Sequence, residues 1–242
     1  MPKVLTALRI ERSPGYREAA YDAIKEAILS RQFAPGEPLI EDQIATVLSI
    51  SRTPVREALA ILQHEELLAP RNGRGLYVRE LTREEFVAMF VANETVEPYL
   101  ARQAAVLATS EQLGQIKDAI DHGKQAIAER DLAGALRSGR DFHRLVGVSA
   151  RNRPLTQFVA RNEERTDLYL LSADRAVDVT GLDASNREHE AIYEAIARRD
   201  PEATTRLVIF HSVSIRTRLA AFFNSAEDEQ SMAQHVAIGA HP

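Results

Sequence analysis

Cysteine is absent from this 242-residue chain. Disulfides and thiolate metal sites are therefore excluded, and His, Asp and Glu remain as the strong side-chain ligands. No apolar run reaches the roughly 20 residues of a membrane span. The start, Met1-Pro2-Lys3, lacks the charged-then-apolar pattern of a secretory leader, so the expected compartment is the cytoplasm. Internal repeats and low-complexity tracts are also missing. What is present, 45% hydrophobic and 27% charged residues, suits one or two ordinary globular domains with a real core.

An excess of positive charge is lacking too, since the formal net charge is -5. It is unevenly spread. Residues 1 to 80 carry 11 Lys and Arg against 11 Asp and Glu, and the remainder carries 19 against 24. Because salt limits surface fields to about 8 Å, local arginines can still dominate a phosphate-binding surface in the first part.

The stretch Ser51-Arg52-Thr53-Pro54-Val55-Arg56-Glu57-Ala58-Leu59-Ala60-Ile61-Leu62 reads as a helix. Ser51 suits the cap, and Pro54 falls in the first turn, where a missing N–H breaks no intrahelical bond. Val55, Ala58, Leu59 and Leu62 recur at intervals of three and four and form a core stripe, while Arg52 and Arg56 project together elsewhere. Upstream, Ile44, Val47 and Leu48 mark a short amphipathic helix, separated by a turn of helix-turn-helix length. Downstream, Leu67-Leu68 and Leu76-Tyr77-Val78 flank the basic tip Arg71-Asn72-Gly73-Arg74-Gly75, as in a hairpin wing. Together these features predict DNA binding through Ser51, Arg52, Thr53, Arg56, Gly73, Arg74 and Gly75. Isolated arginine pairs are more often simply solvated.

A first helix is expected from about Tyr16 to Ser30, carrying Tyr21, Ile24, Ala27 and Ile28, followed by a turn at Pro35-Gly36. Thr82 with Glu85 reads as a capping box opening six or seven further helices, with later starts at Thr109 or Ser110, Asp131, Pro154, Ser185 and Asp200-Pro201. Pro98 is expected to kink or divide the first of these. Residues 173 to 184 read as a loop. The fold class is mainly α: a winged helix-turn-helix over 1–80, an all-helical domain over 81–224, to which the resemblance described next gives effector binding and dimerisation, and an unassigned tail over 225–242.

Residues 51 to 59, with Pro35-Gly36-Glu37-Pro38-Leu39 before and Gly73-Arg74-Gly75 after, resemble the signature of GntR-type transcription regulators. The remainder resembles the helical ligand-binding (FCD) domain of the FadR-like branch. The resemblance implies a ligand-responsive repressor that binds a palindromic operator as a homodimer. Two departures stand out. Ser49 occupies a turn position usually held by glycine, and a left-handed conformation there costs about 1 kcal/mol. Asp42 stands where some relatives place a DNA-contacting arginine.

His143, His189 and His211 lie on three expected helices, each on a buried-looking stripe, and so can converge inside one bundle. Neutral imidazoles suit zinc and other transition metals, although a histidine on an apolar face also serves as a hydrogen-bonded core residue. The resemblance implies one divalent ion (Zn, Ni or Mn) held by these histidines and an aspartate. The aspartate's position is Gly139 here, and Asp141 points elsewhere. The resemblance also implies a small-molecule effector such as a carboxylate, with Asn93, Arg140 and Asn152 in its pocket. Asn93, four residues before Glu97, replaces the arginine that grips the carboxylate in relatives. Arg140, Arg144, Arg165 and Arg218 are the candidates to take over that grip. Two other readings compete: a metal-dependent hydrolase using the three histidines, and a DNA-binding scaffold with a filled core and no effector.

Overall fold

The computed structural model describes residues 15–71, 75–172 and 178–219. The calls on Gly73, Arg74 and the tail from 225 to 242 lie outside these residues. The chain divides into two compact units, with the main division between Arg79 and Glu80.

The first unit contains α1 (Tyr16–Leu29), β1 (Pro38–Leu39), α2 (Glu41–Leu48), α3 (Arg52–His64), β2 (Leu68–Pro70) and β3 (Leu76–Val78). Val55, Ala58, Leu59 and Leu62 are all buried, which sets the rotation of α3. The hairpin is antiparallel, pairing Leu68 with Val78 and Pro70 with Leu76. β1, which sequence periodicity does not mark, adds to the other edge of β3 through Pro38 opposite Tyr77. Two residues cannot signal a period of two.

Val47 is 82% exposed, against the expectation that it lies on the inner stripe of α2; Ile44 and Ala45 take that place. Ser51 stands at the cap of α3, but its side chain makes no capping bond. Such a bond goes to the N–H of the second or third helical residue. The third is Pro54, which has none.

The second unit contains α4 (Arg83–Leu107), α5 (Ser110–Ala128), α6 (Leu132–Ser149), α7 (Arg153–Ser172), α8 (Val179–Ala197) and α9 (Pro201–Arg218). Capping boxes start α4 at Thr82 and α5 at Thr109, and Asp131 and Asp200 cap α6 and α9. Pro98 does not divide α4. Met89, Asn93, Leu100, Ala101 and Ala104 are buried on both sides of it. That packing outweighs the roughly 3 kcal/mol an internal proline costs.

α8 begins six residues before the expected Ser185 start, because the Asp178 side chain accepts the Gly181 N–H at 2.6 Å. Residues 179–184 are thus helix, not loop. Ala104, Ile120, Phe142, Ile192 and Val208, from α4, α5, α6, α8 and α9, share one core. That core holds the three histidine-bearing helices together.

Ser49 ends α2 in the left-handed region, with φ 55. Ser49→Gly is expected to stabilise the first unit by about 0.5–1 kcal/mol, seen as a higher urea midpoint. An unchanged or lower midpoint would show that the Ser49 side chain offsets the strain.

Candidate functional site

Helix α3 presents Arg52 and Arg56 along one flank of its buried stripe, and both side chains are about two-thirds exposed. Neither extends alone into solvent. Arg56 Nε donates to Glu41 Oε1 and Oε2 at 3.2 and 3.1 Å, and Nη2 donates to Oε2 at 2.9 Å. Through that hydrogen bond Arg56 holds the Glu41 carboxyl below its ordinary range. Arg52 forms an ion pair through Nε with Asp42, in the first turn of α2. Thr53 is exposed beside them, and the first-turn N–H groups have no intrahelical acceptor. Gly75, in the left-handed region at φ 72, leads from the wing tip into β3.

The second unit gathers the histidines. One nitrogen from each of His143, His189 and His211 lies within 4.8 Å of the others. His189 Nε2 and His211 Nε2 are 3.2 Å apart. Phe142 stacks on His189 with centroids 4.1 Å apart and fixes that ring. Burial pushes His189 well below the usual imidazole range, and neighbouring cationic His211 would lower it further. Burial also lowers His211, partly countered by Glu188.

Glu188 Oε2 lies 2.6 Å from His211 Nδ1, and Arg218 holds Glu188 with bonds of 2.8 and 2.9 Å. Burial opposes the charge of Glu188, but the hydrogen bonds from Arg218 and His211 outweigh it and bring the carboxyl down to about 2. An ionised Glu188 accepts a hydrogen bond from the Nδ1–H of a neutral His211, which leaves Nε2 of that ring as a lone pair directed at His189.

His143 has the opposite balance. Burial disfavours its cation, yet Glu97 and Glu163 raise it to about 9. Burial pushes Glu163 up to about 7 and Asp167 to about 6, the latter partly offset by Arg140.

A cavity of about 440 Å³ opens beside this cluster. His143, His189, His211, Glu97, Arg140, Glu163, Asp167 and Arg218 line it, with Phe86, Phe90, Leu136 and Ile215 forming an apolar wall. Gly139 lines it as well. A Cβ there would meet only His189 Cε1, at 3.8 Å, so a side chain has room to grow toward the cluster.

The other expected pocket residues stand elsewhere. Asn93 is buried behind the wall, its amide donating to Glu163 at 2.6 Å. Asn152 accepts the Leu155 N–H at the start of α7. Asp141 pairs with Arg144 on an exposed face. Neither Asn93 nor Asn152 is among the lining residues, because α4 and α7 turn these positions into their own packing. Glu163 and Asp167 escaped sequence reading, since an acid on a polar helix face resembles a solvated one until its neighbours are known.

Residues 16–78 match the family described as bacterial regulatory proteins, gntR family, and residues 88–214 match the FCD domain. The chain belongs to the gntR family and carries an FCD domain. This gntR–FCD protein is 28% identical over 220 residues to the HTH-type transcriptional repressor NanR of Cronobacter sakazakii, covering 82% of this chain and 83% of that one. It is 26% identical over 192 residues to the HTH-type transcriptional repressor RspR of Escherichia coli K12, covering 79% and 83%. Among solved structures it is similar to E. coli McbR/YncC, with a TM-score of 0.73 at 18% identity over 86% of this chain and 97% of that one. A GntR regulator from Rhodococcus sp. RHA1 gives 0.71 at 23% over 85% and 98%. At such identities the structural likeness is one of fold.

The gntR–FCD protein is a DNA-binding transcription regulator and not an enzyme, which removes the hydrolase reading. No helix among the described residues is long and apolar enough to cross a membrane.

Asp42 places a negative charge beside Arg52, one of the two exposed arginines of α3. Asp42→Asn is expected to raise affinity for random duplex DNA about two- to fivefold, the size of one exposed charge interaction. Anisotropy titrations at low and physiological salt measure it. Unchanged affinity would remove Asp42 from the interface.

Proposed function

We propose that the chain is a cytoplasmic repressor that binds a palindromic operator as a homodimer and changes its DNA affinity when a small metabolite enters the cavity. The observation that carries the effector half is the 440 Å³ cavity lined by both apolar and ionisable side chains. A scaffold with no effector has no use for such a space. Arg52 and Arg56 are assigned to base edges or phosphates, with Ser51 and Thr53 at the helix start and Gly73, Arg74 and Gly75 as the wing contact. Exposed apolar side chains on α4 and α9, among them Tyr99, Val106, Ile209 and Val213, support self-association. The effector has to favour one arrangement of the dimer over another, since equal affinity for both changes nothing.

Within the cavity, His143, His189 and His211 are assigned to one divalent ion, zinc, nickel or manganese. Two ligand nitrogens on a tetrahedral ion with bonds of about 2.0–2.1 Å lie about 3.3 Å apart, which matches the 3.2 Å between His189 and His211. Glu188 and Glu97 stand behind the Nδ1 atoms of His211 and His143, in the position of carboxylates that orient metal-bound imidazoles. A bound ion would supply a positive centre with open positions for water or a ligand oxygen. The other reading of the same 3.2 Å contact is a direct N–H···N hydrogen bond inside the core.

Arg56→Ala is expected to weaken binding to an operator recovered by genomic selection by about 1–3 kcal/mol, with a smaller effect on random duplex. Equal loss on every sequence would make Arg56 a phosphate contact, and no loss on either would take it off the DNA.

Metal analysis after incubation with zinc, nickel or manganese is expected to find bound ion in the wild type and none in His211→Ala. Gly139→Asp, which adds a carboxylate beside His189, is expected to tighten it. No retained ion and no change in melting temperature on chelation would leave the hydrogen-bonded reading.

A further inference from the structure

Glu41 is the first residue of α2, and its carboxylate holds one edge of the Arg56 guanidinium. Both ends of the pair stand on fixed backbone. Ile44 and Ala45 are buried on α2, and Val55 and Leu59 on α3, so neither helix can turn to carry its side chain away. Glu41 is the less exposed partner, at 36% against 67% for Arg56. The hydrogen bond from Arg56 keeps it ionised.

A guanidinium carries its N–H groups in one plane, one on Nε and two on each terminal nitrogen. Glu41 takes the Nε–H and one N–H of Nη2, with Oε2 at 3.1 and 2.9 Å. The edge formed by Nη1 and Nη2 keeps two parallel donors. Asp42 likewise approaches the neighbouring Arg52 from its Nε side.

The two kinds of acceptor on a duplex respond differently to such a pair. A phosphate is charged, and Glu41 cancels the charge of Arg56 that would attract it. A guanine edge is neutral, and its O6 and N7 accept two parallel N–H groups from one arginine. Adenine offers a single acceptor there, beside a donor. The pair therefore gives up the attraction common to every sequence and retains a fork that fits one base.

We propose that Glu41 is a positioning residue that makes Arg56 a reader of guanine instead of a phosphate clamp. This rests on the assignment of Arg56 to the DNA.

The test is a double-mutant cycle on the full chain: wild type, Glu41→Gln, Arg56→Ala and the double variant. Each is titrated by anisotropy at several salt concentrations against an operator recovered by genomic selection and against random duplex. Glu41→Gln is expected to bind random duplex about two- to fivefold tighter, the size of one exposed charge interaction. Its plot of log affinity against log salt is expected to steepen by about one, as Arg56 moves to a phosphate. The operator-to-random ratio is expected to fall about tenfold, with preference lost at a guanine of the selected site. In the Arg56→Ala background, Glu41→Gln is expected to change none of these, because the carboxylate acts through Arg56.

An unchanged ratio and salt slope in Glu41→Gln, with the ratio still lowered by Arg56→Ala, overturns the inference and leaves Arg56 a base contact. Equal effects of Glu41→Gln with and without Arg56 overturn it too, since Glu41 then acts only by repelling phosphate. If Arg56→Ala changes binding to neither duplex, the DNA assignment of Arg56 fails and this inference falls with it.

Discussion

Burying an apolar stripe stops a helix from rotating about its own axis, and both candidate sites depend on that constraint. In α3, the buried Val55, Ala58, Leu59 and Leu62 leave Arg52 and Arg56 no direction except outward. In the second unit, Phe142, Ile192 and Val208 in one shared core turn α6, α8 and α9 so that three histidines face one another. The apolar contacts supply the orientation, and the polar groups supply the chemistry.

The charges are arranged locally rather than in bulk. A net charge of -5 does not describe the surface of α3, where two arginines and two acids alternate within a few ångströms. Such exposed pairs contribute little to stability. A phosphate at Arg52 or Arg56 would have to compete with a carboxylate already in place. Inside the FCD unit the same residue types behave differently, because burial makes an unmatched charge expensive. Glu188 stays ionised between His211 and Arg218, whereas Glu163 and Asp167 are pushed upward for want of equal compensation.

Local signals were read correctly where a helix start is a short-range event. The capping boxes at Thr82 and Thr109 and the aspartate caps at 131 and 200 need only three or four residues to be recognised. They failed where a neighbour decides. Ser51 occupies the cap position, but Pro54 removes one of its possible partners. Pro98 looks like a break until α4 is seen buried on both sides of it. The early start of α8 rests on Asp178, in a stretch with no apolar period to announce it.

The candidate sites divide along the same line. Helix α3 was legible because its cap position, its stripe and its arginines all lie within twelve residues. So were the three histidines as members of buried stripes. Their partners were not: Glu97 and Glu188, the cavity acids Glu163 and Asp167, and the removal of Asn93 and Asn152 from the cavity wall all depend on helices far apart in the chain.

Sequence alone determined the mainly α class, the winged helix-turn-helix and which helices carry histidine, since periodicity and capping act over a few residues. Only the tertiary structure decided which charges are matched, because electrostatic pairing depends on distance in space.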